Sequence, residues 1–161
     1  MTIFENMSIA DNKGKVYGLQ SGVNRHRKDY YREQLRSLGL GLEDKLHTKV
    51  GSLSGGQRQA VALLMSTMTP LEFLILDEHT AALDPKTADI IMELTERIVR
   101  EKKVTTIMVT HNLRYAIEYG DRLLMMHEGN AILDKSGDEK KSLDTDQIMR
   151  MFNEISVECG N

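Results

Sequence analysis

Apolar residues along this chain recur with two different periods, and the change between them falls near the middle. Thr2-Ile3-Phe4-Glu5 has the spacing of a capping box, in which a Thr hydroxyl and a Glu carboxylate each satisfy the other's backbone N–H. It predicts a short helix to about Ala10, followed by a glycine-containing loop from Asp11 to about Asn24. Over 25–38, Tyr31, Leu35 and Leu38 share one helical face while charges fill the other, which predicts an amphipathic helix. Gly39 and Gly41 then open an irregular polar stretch that ends at Leu53-Ser54-Gly55-Gly56-Gln57. Val61, Leu64, Met65 and Met68 return at helical spacing until Pro70, which cannot continue a helix.

Beyond Pro70 the period shortens. Leu71-Glu72-Phe73-Leu74-Ile75-Leu76 is a short apolar run leading into Asp77-Glu78, the pattern of a buried parallel strand. A helix from about Pro85 to Glu101 turns Ile91, Leu94 and Ile98 inward, and Thr105 to Thr110 is a second β-branched run ending at His111. Strand, helix, strand in that order is a βαβ unit, so the sheet is expected to be at least partly parallel. A short helix over 112–119 precedes two runs, Arg122–His127 and Ala131–Lys135, which flank Glu128-Gly129-Asn130 as a hairpin would. The last helix, about 144–156, sets Ile148, Met151, Phe152 and Ile155 on one face.

Composition narrows the class. The 161 residues carry 21 Lys and Arg against 24 Asp and Glu, a formal charge of -3. That near balance offers no electrostatic attraction for nucleic acid or an anionic membrane, and nucleic acid is not an expected partner. The basic run Arg25-His26-Arg27-Lys28 beside Tyr30 and Tyr31 is interrupted by Asp29 and Glu33, so it reads as a solvated helix face. A single cysteine rules out a disulfide within the chain and a cysteine-based zinc site. No apolar run approaches the ~18 residues that a membrane span needs, and no signal-peptide pattern opens the chain. A hydrophobic content of 40% suffices for the core of one domain-sized chain. These properties predict a soluble cytoplasmic protein.

Four stretches carry residues with chemistry. At Ser54-Gly55-Gly56-Gln57 two adjacent glycines open a helix, where backbone N–H groups and the helix dipole favour an anion and Ser54 adds a hydroxyl. The set suits a phosphate; alone, it also reads as a loop capped by Ser54. Asp77-Glu78 stands at the C-terminal end of an apolar strand, where open α/β sheets place ligands. One carboxylate there can hold Mg²⁺ while its neighbour polarises a water for attack on a phosphoryl group; alone, the pair is also a solvated strand end. Asp84-Pro85 has the form of an ordinary helix start, and His111 by itself reads as a hydrogen-bonded structural histidine.

Taken in order and at their close spacing, Leu53-Ser54-Gly55-Gly56-Gln57, Asp77-Glu78, Ala82-Leu83-Asp84 and Thr110-His111 resemble the ATP-binding cassette (ABC) ATPases over most of the chain. The resemblance implies an α/β fold with an incomplete P-loop-NTPase-type core of parallel strands flanked by helices. It implies a helical signature subdomain over 1–69 and the C-terminal part of the ATPase core over 70–161. By the same resemblance Ser54, Gly55, Gly56 and Gln57 belong to the signature motif, which contacts ATP held by the opposite subunit of a dimer. Asp77 is implied as the Walker B aspartate serving Mg²⁺ through water, and Glu78 as the catalytic base for the attacking water. Residues 81–84, with Ala82, Leu83 and Asp84, match the D-loop, and His111 matches the catalytic switch histidine that senses the γ-phosphate.

ATP and Mg²⁺ are the cofactors implied. The implied partners are a second ATPase subunit, as a homodimer or swapped oligomer, and a membrane permease that would hold the protein at the inner face of the cell membrane. Two departures flank the site: His79 stands where the common pattern has proline, and Ala81 where serine is usual. The run over 77–88 is similar to bacterial importer ATPases linked to substrate-binding proteins for amino-acid-like solutes. Non-transport ABC ATPases acting on DNA or ribosomes form one alternative, although the sustained heptads of a long coiled coil are absent. A catalytically inactive fragment acting as a dimerisation or binding module is the other.

A P-loop requires Gly-x-x-x-x-Gly-Lys-[Ser/Thr]. The only Gly-Lys pair, Gly14-Lys15, is followed by Val16 and has Ile9 where the first glycine belongs. The P-loop and the family's Q-loop are therefore expected outside these residues, with the chain matching the C-terminal two-thirds of a cassette. On that expectation the chain alone does not hydrolyse ATP, an activity left to the full-length protein. The strands at 71–76 and 105–110 are then short of a neighbour and a covering face, and exposed apolar surface of that kind favours association.

Overall fold

Residues 1–14 and 23–158 are described by a computed structural model, except for the side chains of 145, 147 and 154–158. Most of the loop expected between Asp11 and Asn24, including Lys15 and Val16, lies outside the described residues, as does the side chain of Ile155. The chain divides into two compact units, Met1–Ile107 and Met108–Asn161.

The first unit begins with α1 (Ile3–Asp11), closed by the expected capping box: Glu5 N donates to Thr2 Oγ1 at 3.2 Å and Thr2 N to Glu5 Oε2 at 2.7 Å. The next N–H groups of its first turn are satisfied from outside the helix, Ile3 by Thr48 O at 3.0 Å and Phe4 by Leu46 O at 2.9 Å. Those bonds lay the 42–50 segment along α1, and Leu42 and Leu46 are buried with Ile3, Met7, Tyr31 and Leu35. The helix expected over 25–38 is a 3-10 turn, Arg25–Arg27, continued by α2 (Lys28–Arg36). Asp11 fastens α2 to α1: it accepts from the Tyr31 hydroxyl at 2.9 Å and lies 2.9 Å from Arg27 Nε in a charge contact.

Helix α3 (Gly55–Ser66) ends four residues before Pro70, and α4 (Pro85–Lys102) starts at the Asp84 cap. Between them, β1 (Phe73–Asp77) pairs with β2 (Thr105–Val109) in a two-stranded parallel sheet joined through α4, the expected βαβ unit. One feature of β1 differs from its buried-strand pattern. Leu74 and Leu76 are buried, but Phe73 is 45% and Ile75 65% exposed, and Ile107 of β2 is 52% exposed. A parallel strand is buried on both sides only when both are covered, and the described residues cover one.

In the second unit, α5 (Leu113–Glu118) precedes the hairpin of β3 (Arg122–His127) and β4 (Asn130–Ser136). The turn is Glu128-Gly129, with φ of 46° and 79°, the doubly left-handed geometry whose twist matches paired strands. Arg122 clamps Asp134 across the hairpin through Nε and Nη2 at 2.8 and 2.6 Å. Leu123, Met125 and Ile148 form the buried centre, with Leu113, Ile117, Leu133 and Leu143 packed against them. A short helix, α6 (Gly137–Lys141), has no counterpart in the sequence pattern, and α7 (Thr145–Glu158) closes the chain. Lys140 is buried and donates to the carbonyls of Tyr119 and Gly120 just past the end of α5, while burial lowers its pKa.

Candidate functional site

The start of α3 is built as a cap before it can be anything else. Ser54 has extended backbone, its Oγ accepts from Gln57 N at 3.2 Å, and Gln57 Oε1 accepts from Ser54 N at 3.3 Å. Accepting uses a lone pair of the hydroxyl and leaves its proton to donate elsewhere. The N–H groups of Gly55 and Gly56, at the first two helical positions, have no partner within the helix by its geometry. Cap and anion cradle are thus compatible at this helix end.

The glycines also have a local cause. A Cβ added at Gly56 would overlap the Cγ2 methyl of Thr87, and one at Gly55 would stand 3.1 Å from Leu83 Cδ2. The first turn of α3 therefore fits against the segment that leads into α4. Sequence reasoning missed this contact, because 31 residues separate Gly56 from Thr87.

That segment follows directly from β1. Asp77 ends the strand and Glu78 leaves it, both exposed to solvent. Glu78 has φ of 43°, a left-handed backbone that costs a residue with a side chain about 1–3 kcal/mol. Two tight turns follow, Ala81 N to Glu78 O at 3.0 Å and Leu83 N to Thr80 O at 3.1 Å. Asp84 then caps α4 by accepting from Thr87 N at 3.1 Å, with Pro85 at the first helical position. The hydrogen bonds from Thr87 hold the Asp84 carboxyl below the usual carboxylate range. His79, half-buried beside Glu78, places Nε2 3.2 Å from Thr95 Oγ1, and burial lowers its pKa.

The structure thus joins the stretches around 54–57 and 83–87, with Asp77 and Glu78 entering the same turn segment. Ala82 lies exposed within it. His111 belongs to the second unit, exposed between β2 and the Asn112 cap of α5, where Asn112 accepts from Tyr115 N at 3.3 Å.

A nucleotide and Mg²⁺ fit the kinds of donor present in the first unit. The two leading N–H groups of α3 and the Ser54 hydroxyl proton suit phosphate oxygens. Exposed carboxylates at a strand end suit a hydrated Mg²⁺, which keeps most of its waters in such sites.

Comparison with known proteins agrees with this architecture. The family model described as ABC transporter matches residues 1–81. The tyrosine transport ATP-binding protein of Clostridioides difficile (strain R20291) is 49% identical over 152 residues, which cover 94% of this chain and 60% of that protein. An ABC transporter solved in an inward-facing conformation superposes with a TM-score of 0.73 at 21% identity, over 95% of this chain and 59% of its own. A dimeric bacterial ABC transporter cassette gives a TM-score of 0.63 at 29% identity, over 84% and 56% of the two chains. The mixed helix and strand architecture with a parallel sheet is that of ABC ATPase domains. The chain belongs to the ABC transporter family. It spans about 60% of the length of the tyrosine-transport relative. No helix among the described residues is long and apolar enough to cross a membrane.

Proposed function

We propose that the chain supplies the signature, Walker B, D-loop and switch-histidine portion of a transporter's nucleotide-binding subunit, and that ATP binding and hydrolysis there are coupled to solute movement. The single observation that carries this is the start of α3: a capped, glycine-lined helix end with two leading N–H groups, seated against the turn that leaves the Asp77-Glu78 strand end.

In this reading Ser54, Gly55, Gly56 and Gln57 face a nucleotide held by the P-loop of a partner cassette. Asp77 holds the water shell of Mg²⁺, which neutralises phosphate charge when bound. Glu78 takes the proton from the attacking water, His111 contacts the terminal phosphate, and Ala82, Leu83 and Asp84 lie where the two subunits meet. Residues 1–69 act as the signature subdomain and 70–161 as the rest of the core portion. The partners are a second cassette and a membrane permease, with the subunit on the cytoplasmic face of the membrane. An amino acid is the favoured cargo class, since the C. difficile relative is named for tyrosine transport.

Glu78→Gln in the assembled cassette (this chain together with the P-loop it works with) tests the reading. Glutamine keeps the shape but cannot accept the proton, so turnover should vanish while MgATP stays bound between the subunits. Hydrolysis at the wild-type rate would remove Glu78 from the role of base. The chain assayed without a P-loop should show no Mg²⁺-dependent turnover.

A further inference from the structure

We propose that His79 is a positioning residue for Glu78, tying the backbone just after it to α4 and so holding the Glu78 carboxylate in place. The proposal rests on Glu78 being the general base. Glu78 leaves β1 with a left-handed φ of 43° and is exposed. The turn bond from Ala81 N to Glu78 O, 3.0 Å, closes the segment on itself without attaching it to the rest of the fold.

His79 attaches it to α4, on the side of the turn nearest Glu78. Its Nε2 lies 3.2 Å from Thr95 Oγ1, and Thr95 is buried in the middle of the long helix α4 (Pro85–Lys102). The Thr95 hydroxyl donates its one proton to Ile91 O at 2.7 Å. Toward His79 it can therefore only accept, and the imidazole is the Nε2–H tautomer. A single directed bond thus runs from the residue after Glu78 to a fixed point on the helix. Thr80, the next residue, is buried as well, so the chain dives inward directly after the exposed carboxylate.

Two measurements test this. In the 161-residue chain, long-range ¹H–¹⁵N correlation should show His79 as the Nε2–H tautomer, and Thr95→Val should remove that preference; an Nδ1–H ring in the unsubstituted chain would overturn the proposal. In the assembled cassette, His79→Leu should lower kcat by about 10- to 100-fold, as a misplaced catalytic group does, with the KM for ATP little changed. His79→Gln, whose side-chain amide can donate to Thr95, should recover most of the loss. Thr95→Val, which keeps the branched shape of threonine and removes only the hydroxyl, should reproduce the His79→Leu loss, with a urea midpoint checking that the chain is folded. Glu78→Gln is measured in parallel. If it abolishes turnover while His79→Leu and Thr95→Val keep wild-type kcat, the positioning role is wrong and the base assignment stands. If Glu78→Gln turns over normally, the base assignment falls and takes the proposal with it.

Discussion

Replacing Gly56 by alanine should destabilise the chain through an intramolecular clash, before any nucleotide is involved. The added methyl would overlap Thr87 Cγ2. Thr87 cannot simply swing aside, because its χ1 is restricted by β-branching and its N–H is held by Asp84 at 3.1 Å. Forcing an extra methyl into a filled contact costs about 1–3 kcal/mol. Against that, alanine is better than glycine inside a helix by about 0.5–1 kcal/mol. The expected net loss is therefore up to about 2.5 kcal/mol.

Thr87→Ser deletes the Cγ2 methyl and keeps the hydroxyl, at a cost of no more than about 0.8 kcal/mol for one methyl group. On that background Gly56→Ala should be neutral or stabilising by up to about 1 kcal/mol. The two substitutions thus couple by about 1–3 kcal/mol, far outside the ~0.3–0.5 kcal/mol within which independent sites add. Urea unfolding of the four chains, followed by far-ultraviolet circular dichroism, measures the cycle. If Gly56→Ala shifted stability equally with threonine and serine at 87, the contact would not be the reason for glycine. The result also bears on function: a Gly56 variant that loses transport would not by itself report contact with phosphate.

At Ser54 the cap and the proposed phosphate contact can be separated. Ser54→Ala should cost about 1 kcal/mol of stability in urea, whereas Ser54→Asp retains a capping oxygen and should unfold like the wild type. In the assembled cassette Ser54→Asp should nevertheless weaken nucleotide trapping by placing a negative charge beside phosphate; unchanged trapping would remove Ser54 from the phosphate contact. Burial, together with its hydrogen bond to Asp11 and that carboxylate's charge, pushes the Tyr31 hydroxyl up to about 12 from 10.0. Because the folded value lies above the unfolded one, this stabilisation is complete below pH 10 and is lost as pH rises through 12. The gap of about two pH units corresponds to a few kcal/mol at most. Urea midpoints from pH 9 to 12 should fall more steeply in the wild type than in Tyr31→Phe, and equal slopes would contradict the assignment.

What could be read from the sequence depended on how local its cause was. The Thr2 and Glu5 box and the Asp84-Pro85 helix start each sit within a few residues, and their hydrogen bonds appear where the spacing put them; the hairpin is also where it was expected, with Asn130 joining β4 and leaving Glu128-Gly129 as the turn. The apolar run Leu71–Leu76 announced a buried strand, but only Leu74 and Leu76 of β1 are buried, since burial depends on what covers each side. Helix α6 escaped because Gly137-Asp138-Glu139-Lys140-Lys141 has no apolar period; it is held in part by a buried lysine reaching two distant carbonyls. In the candidate site the chemical residues were legible as motifs. Their supports were not: Gly56 meets Thr87, and His79 meets Thr95, only after the chain has folded back on itself. His79 was visible as a departure from the common pattern, yet its partner one turn along α4 from Ile91 was not.

The decisive measurement is made in a mixed dimer of assembled cassettes, with one subunit carrying Ser54→Asp and each P-loop separately identifiable by site-specific crosslinking to nucleotide. If the signature serves a nucleotide across the subunit boundary, trapping should fail at the P-loop of the unsubstituted partner and persist at the substituted subunit's own. Failure confined to the P-loop of the substituted subunit would mean that residues 54–57 act within their own chain, and the proposed arrangement would be wrong.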